Sequence, residues 1–139
     1  MMPTLACSCA TVRRTGRVLT QLYDEILAPS GLRVTQFSLL ATLARTGPVT
    51  LGELANLSVM DRTTLTRNLA PLERAGWVQT GAGADRRTRQ VALTEAGRAT
   101  LAAALPLWRA AQDRVDQQFG PERTAALRAE LRALTAAVR

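Results

Sequence analysis

Histidine and lysine are both missing from this 139-residue sequence, and the first absence narrows the chemistry most. Without histidine the chain lacks the usual base of a catalytic triad and the commonest metal ligand. Neither a phosphate-cradling glycine loop nor a convincing carboxylate pair takes its place. No catalytic residue, metal ligand or cofactor is therefore expected, and the chain is not read as an enzyme. Cysteine is scarce as well: Cys7 and Cys9 are the only two, too close together to staple a fold. No apolar run approaches the roughly 18 residues needed to cross a bilayer. The N-terminus also lacks the charged start and long apolar run of a secretory signal. A cytoplasmic protein is the expectation.

What is present is arginine. All 18 basic residues are of this type, against 11 acids, and the net charge is +7. Arginine suits planar, two-pronged contacts to phosphate or guanine, although the complete lack of lysine points to genome composition before function. Charge of this sign favours an anionic partner, with nucleic acid first among the candidates. The length fits one domain, residues 1–139, and an apolar fraction of 47% is ordinary for a folded chain.

The stretch from Asp61 to Thr94 organises the rest. Asp61 is a good helix cap, and Leu65, Leu69 and Leu72 recur at helical spacing, so one side of the helix is apolar. The opposite side carries Thr63, Arg67, Ala70 and Arg74, with Thr64 and Thr66 at its edges, and has little to bury. Gly76 sits where a terminating glycine belongs, and Trp77 to Thr80 alternates as a strand would. Gly81-Ala82-Gly83-Ala84 reads as a flexible tip, Asp85 to Arg89 returns from it, and Val91 to Leu93 alternates again. Residues 61 to 89 hold six arginines against three acids, enough to neutralise several phosphates. Upstream, Thr50 to Glu53 fits a capping box for a short helix, Leu51 to Leu57, and Ser58-Val59-Met60 turns the chain toward Asp61. Two short helices so joined match a helix-turn-helix, whose second helix enters the major groove of DNA. The candidate DNA contacts are Arg62, Thr63, Thr64, Thr66, Arg67, Arg86, Arg87 and Arg89.

The flanks read as packing helices. Residues 1 to 9 look like a loose leader, and Val12, Thr15, Leu19, Leu22 and Ile26 form a narrow seam from about Ala10 to Ala28. Acids near the end of this helix run against its dipole. Pro29-Ser30-Gly31 breaks it, and Thr35 can cap the next, which buries Phe37, Leu40 and Leu43. Val49 can pair with the later hairpin. Thr94 caps a long helix to about Phe119 with the seam Leu101, Leu105, Trp108, Gln112, Val115 and Phe119, and Pro121 opens a last helix carrying Leu127, Leu131, Leu134 and Val138. Gln112 either sets the register of this seam or belongs to a ligand crevice; Tyr23 and Trp108 read as core. Pro71 and Pro106 fall inside helices, where each should cause a kink. One chain would struggle to cover three seams, so they are expected to interlock in a homodimer.

The residues Leu51 to Val78 and ADRRTRQVALTEAG (Ala84 to Gly97) resemble the multiple-antibiotic-resistance regulator (MarR) family, dimeric winged-helix transcription factors of bacteria. The Asp-x-Arg wing followed by Leu-Thr-x-x-Gly is the more specific part, and the order of elements agrees from about Ala10 to Val138. The resemblance implies a mainly α fold with a small β-hairpin wing, a DNA-binding lobe over residues 35–93, and dimerisation helices at 10–28 and 94–139. It implies that Asp85 pairs with Arg87 to shape the wing, and that a crevice between dimerisation helices and lobe takes small aromatic effectors. The expected function is a homodimeric regulator, a repressor, bound to a pseudo-palindromic double-stranded operator and released by such a ligand or by thiol oxidation at Cys7 and Cys9. The alternatives weighed are a helical adaptor that binds protein without touching DNA and, for the two cysteines, unimportant thiols or a metal site shared with a second chain.

Overall fold

The computed structural model describes residues 6–82 and 89–139. Helix α1 spans Ser8–Leu27, two residues earlier than expected, because Cys7 caps it: the Cys7 sulfur accepts from the Ala10 amide at 3.4 Å. The supposed leader is thus partly helix, with Cys9 inside the first turn. A single 3-10 turn, Ala28–Ser30, and a left-handed Gly31 end α1. Helix α2 (Val34–Thr46) follows, capped at Arg33 rather than at Thr35. Its leading amides already have partners: the Asp24 carboxylate accepts from Val34 N–H at 2.8 Å, and the Gln36 side chain accepts from Arg33 N–H at 3.0 Å. Asp24, unfavourably placed for its own helix, serves the positive end of the next one.

Strand β1 is the dipeptide Val49–Thr50, and helix α3 covers Leu51–Ser58. Thr50 and Glu53 form the expected capping box, at 3.1 and 3.2 Å. Helix α4 (Arg62–Arg74) runs on through Pro71 and ends in a Schellman turn: Gly76 at φ 79° donates to Glu73, and Trp77 donates to the Leu72 carbonyl. Strands β2 (Val78–Ala82) and β3 (Arg89–Leu93) pair antiparallel from Val78 opposite Leu93 to Ala82 opposite Arg89, and β1 joins the other edge of β3 with Val49 opposite Val91. Gly81 and Ala82 belong to the strand, not to a tip, because Gln90 and Arg89 extend the ladder to meet them. Helix α5 (Glu95–Phe119) starts at the Thr94 cap and α6 (Pro121–Val138) starts with proline in its first position.

The core lies where the leucines of α2, α3 and α4 meet the sheet and the middle of α5. Leu40, Leu43, Leu54, Leu65, Leu72 and Val91 are fully enclosed, and Leu27 and Ala104 bring α1 and α5 into the same cluster. Phe37 of α2 stacks on Trp108 of α5 with ring centroids 5.6 Å apart, fixing the joint between these helices. The flanking seams are another matter. Leu127, Leu131 and Leu134 of α6, with Val12 and Val18 of α1, remain exposed on a single chain.

Candidate nucleic-acid interface

Helix α4 presents its polar face because its other face is used up. Leu65, Leu69 and Leu72 point into the core, and the remaining side chains at the start of the helix have nowhere to go but outward. Arg62, Thr63, Thr66 and Arg67 are exposed, and Thr64 is half-buried. Arg62 nevertheless leans back along α3: a Cβ placed on Gly52 would meet its guanidinium at 3.1 Å. Thr63, Thr66 and Arg67 form the outward group, the last two lying three and four residues beyond the first on one side.

Asp61 fixes where this face begins. Its carboxylate accepts from Thr64 N–H at 2.7 Å, and the Thr64 backbone and side chain hold it below the ordinary carboxylate range, with lesser help from the Thr63 amide and the charge of Arg67. Two contacts that spacing could not reveal hold α4 in its orientation. The Asn68 amide donates to the Met60 sulfur at 3.5 Å, and the Thr80 hydroxyl donates to the Glu73 carboxylate at 2.6 Å, tying the end of α4 to β2.

Arg89 is exposed at the first position of β3. Asp85, Arg86 and Arg87, including the suggested Asp85–Arg87 pair, lie outside the described residues. The root of the hairpin is tied to α5. The Thr94 hydroxyl donates to the Gly76 carbonyl at 2.6 Å and accepts from Gly97 N–H at 3.0 Å, while Thr94 N–H donates to the Trp77 carbonyl at 3.0 Å. Gly97 lets α5 approach this closely: a Cβ there would fall well inside contact distance of the Trp77 carbonyl oxygen. The Leu-Thr-x-x-Gly spacing marks this junction, but its steric reason becomes visible only in three dimensions.

Away from α4, a crevice of about 350 Å³ opens between α1, α5, α6 and the start of α2, lined by Leu19, Tyr23, Val34, Gln112 and Leu127 with Arg128 at its edge. Within it the Tyr23 hydroxyl donates to the Gln112 amide oxygen. Burial pushes the Tyr23 phenol above its usual pKa; the Arg128 charge pulls it down and that of Asp116 pushes it up. Cys7 and Cys9 are both exposed at the start of α1. Among the described residues there is no cluster of three or more metal-ligating acids, cysteines or histidines, and no helix long and apolar enough to cross a membrane.

Comparison with known proteins agrees with this architecture. The MarR family profile matches residues 32–87. The Mycobacterium tuberculosis transcriptional regulator MosR, solved in complex with DNA, is 45% identical, with 96% of this chain and 98% of that one covered and a TM-score of 0.83. The transcriptional repressor CouR, solved bound to a 23-mer DNA duplex, is 27% identical with a TM-score of 0.86 over 97% of each chain. The uncharacterised HTH-type transcriptional regulator YwoH of Bacillus subtilis (strain 168) is 34% identical over 84 residues, 60% of this chain. The chain spans 61% and 55% of the length of the curated relatives it matches. High identity across nearly the whole of a solved regulator, together with the capped helix-turn-helix and the strand pair after it, leads to one conclusion: the chain belongs to the MarR family of winged-helix transcriptional regulators.

Proposed function

We propose that this protein binds double-stranded DNA sequence-specifically as a homodimer and represses transcription in the cytoplasm, letting go when a small aromatic ligand or oxidation of Cys7 and Cys9 alters the spacing of its two lobes. The observation that carries this reading is the outward face of α4: Thr63, Thr66 and Arg67 stand exposed on a helix whose opposite side is wholly buried. An arginine there can take the two acceptors of guanine, and a threonine can touch a thymine methyl. Arg89, with Arg86 and Arg87 nearby in sequence, supplies charge for phosphates in the flanking groove. Thr64 and Arg62 contribute less directly, the first through the cap and the second through phosphate contact. The exposed leucines of α6 favour pairing, since an apolar face of this length is costly to leave in water. Two paired lobes would meet successive major grooves about 34 Å apart. The crevice beside Tyr23 and Gln112 suits a flat ligand with one polar edge.

The test is a gel-shift titration at several salt concentrations with wild type, Arg67→Ala and Arg89→Ala. Each variant should bind less tightly, still migrate as a dimer in gel filtration, and lower the salt slope by about 0.9 for each phosphate it no longer neutralises. A protein that protects no duplex at low salt, or variants that bind as well as wild type, would remove the reading in favour of a helical adaptor. A melting-temperature screen of phenolic compounds against wild type and Gln112→Ala checks the ligand: no compound stabilising the first more than the second argues against the crevice.

A further inference from the structure

Helix α3 closes in a Schellman turn, with Met60 N–H donating to the Ala55 carbonyl at 2.9 Å, but the turn is strained. No basic residue lies in its last turn, and the left-handed position that closes it is held by Val59 at φ 53°, a β-branched residue where glycine is the unstrained choice. The Asn56 carbonyl in that turn receives a long bond of 3.3 Å from Val59 N–H. Compensation arrives from the other end of the chain. The guanidinium of Arg139, directly after α6, donates to the Asn56 carbonyl at 2.8 Å and also to the Asn56 side-chain oxygen. A cation at this place meets the negative end of the α3 dipole. Around the bond, Val12 of α1, Val59, and Leu134 and Val138 of α6 line one shallow groove, so the ends of both flanking helices converge on the turn into α4.

We propose that Arg139 is a positioning residue for DNA recognition. It reinforces the strained Schellman turn that closes α3 and thereby holds the turn into α4 at a set angle to α1 and α6. Asp61, which starts α4, stands two residues beyond Val59, so a loosened turn is passed straight to Thr63, Thr66 and Arg67. The inference rests on the DNA-binding reading, but its structural half can be tested without DNA.

The experiment uses the full chain as wild type, Arg139→Ala and Arg139→Lys. Hydrogen exchange on the free protein reads the cap itself. Exchange at Val59 and Met60, whose amides bond back to α3, should quicken about threefold in Arg139→Ala, the scale of one exposed charge at a helix end. Val91 in the sheet should not change. Fluorescence anisotropy with a duplex that the wild type selects from a randomised pool then reads recognition. Arg139→Ala should weaken binding about threefold per lobe, with the salt slope unchanged, and Arg139→Lys should recover most of the loss. Unchanged exchange at Val59 and Met60 would overturn the proposal, and so would unchanged affinity. A slope shallower by about one would show Arg139 neutralising a phosphate itself, which also overturns it. If the wild type selects no duplex, the DNA reading fails instead, and the exchange result alone decides whether Arg139 caps α3.

Discussion

Gly97→Ala separates tertiary packing from intrinsic helix preference, because the two give opposite signs. Gly97 lies in the first turn of α5, and in an unobstructed helix interior the change would stabilise by about 1 kcal/mol. Here the new methyl would sit 2.8 Å from Leu93 Cδ1 and 2.9 Å from the Trp77 carbonyl carbon, with the carbonyl oxygen nearer still. Backbone cannot swing aside as a flexible side chain can, so α5 must retreat from β2. Retreat stretches two hydrogen bonds, Thr94 N–H to the Trp77 carbonyl and the Thr94 hydroxyl to the Gly76 carbonyl, at about 1 kcal/mol each. Crowding of Leu93 and Trp77 adds about 2 kcal/mol. Set against the helix gain, the net destabilisation is about 3 kcal/mol, which for a chain of this length lowers the melting temperature by about 10 °C. Thermal unfolding followed by circular dichroism measures it. A melting temperature equal to or above that of wild type would refute the argument that the glycine is demanded by contact with Trp77.

Other consequences can be checked alongside. The Asp61 carboxylate has a lowered pKa in the folded protein, so its contribution is complete above the ordinary carboxylate pKa of about 3.9 and is lost as pH falls through the lower folded value. Asp61→Asn keeps a capping acceptor but cannot titrate; the stability gap between it and wild type should therefore narrow from pH 7 toward strongly acid solution, and a constant gap in urea melts would contradict this. For Tyr23 the sign is reversed. Its folded pKa is raised, so its contribution is intact below about pH 10 and declines as pH climbs through the folded value. Tyr23→Phe leaves the Gln112 oxygen without its donor and should cost about 1 kcal/mol at neutral pH, measured by urea unfolding, where no loss would count against the bond. Leu131→Asp on α6 should yield a folded monomer in analytical ultracentrifugation, whereas an unaltered dimer would rule out α6 as the pairing face. Peroxide should shift non-reducing gel mobility and weaken DNA binding in wild type but not in Cys7→Ser with Cys9→Ser; unchanged affinity in oxidised wild type would dismiss the thiols as a switch.

What was legible from the sequence follows a simple division. Features set by residues three or four apart appear where spacing put them: the Asp61 and Thr94 caps, the Thr50–Glu53 box, the terminating Gly76, the proline that opens α6, and the leucine side of α4. The side chains exposed on α4 could be named for the same reason, since the cap and the leucines together fix the rotation of the helix. Features that need a distant partner were hidden. Nothing near Thr35 signals that Asp24 serves the start of α2 from ten residues away, and nothing in the hairpin signals that Thr80 answers to Glu73. Residues 1 to 9 read as a loose leader, yet Cys7 caps α1, and sulfur, a weak acceptor, gives no cap signal in the sequence.

The junction at Thr94 and Gly97 has a mechanical consequence. At its near end α5 is clamped to the backbone where α4 and the strand pair meet, and its 25 residues make a rod about 37 Å long. Pivoting such a rod by about 5° sweeps its remote tip through roughly 3 Å. Pro106 interrupts the hydrogen-bond ladder between this clamp and Gln112, so a disturbance near Gln112 would reach the clamped end through a bend at that proline as well as a swing of the helix.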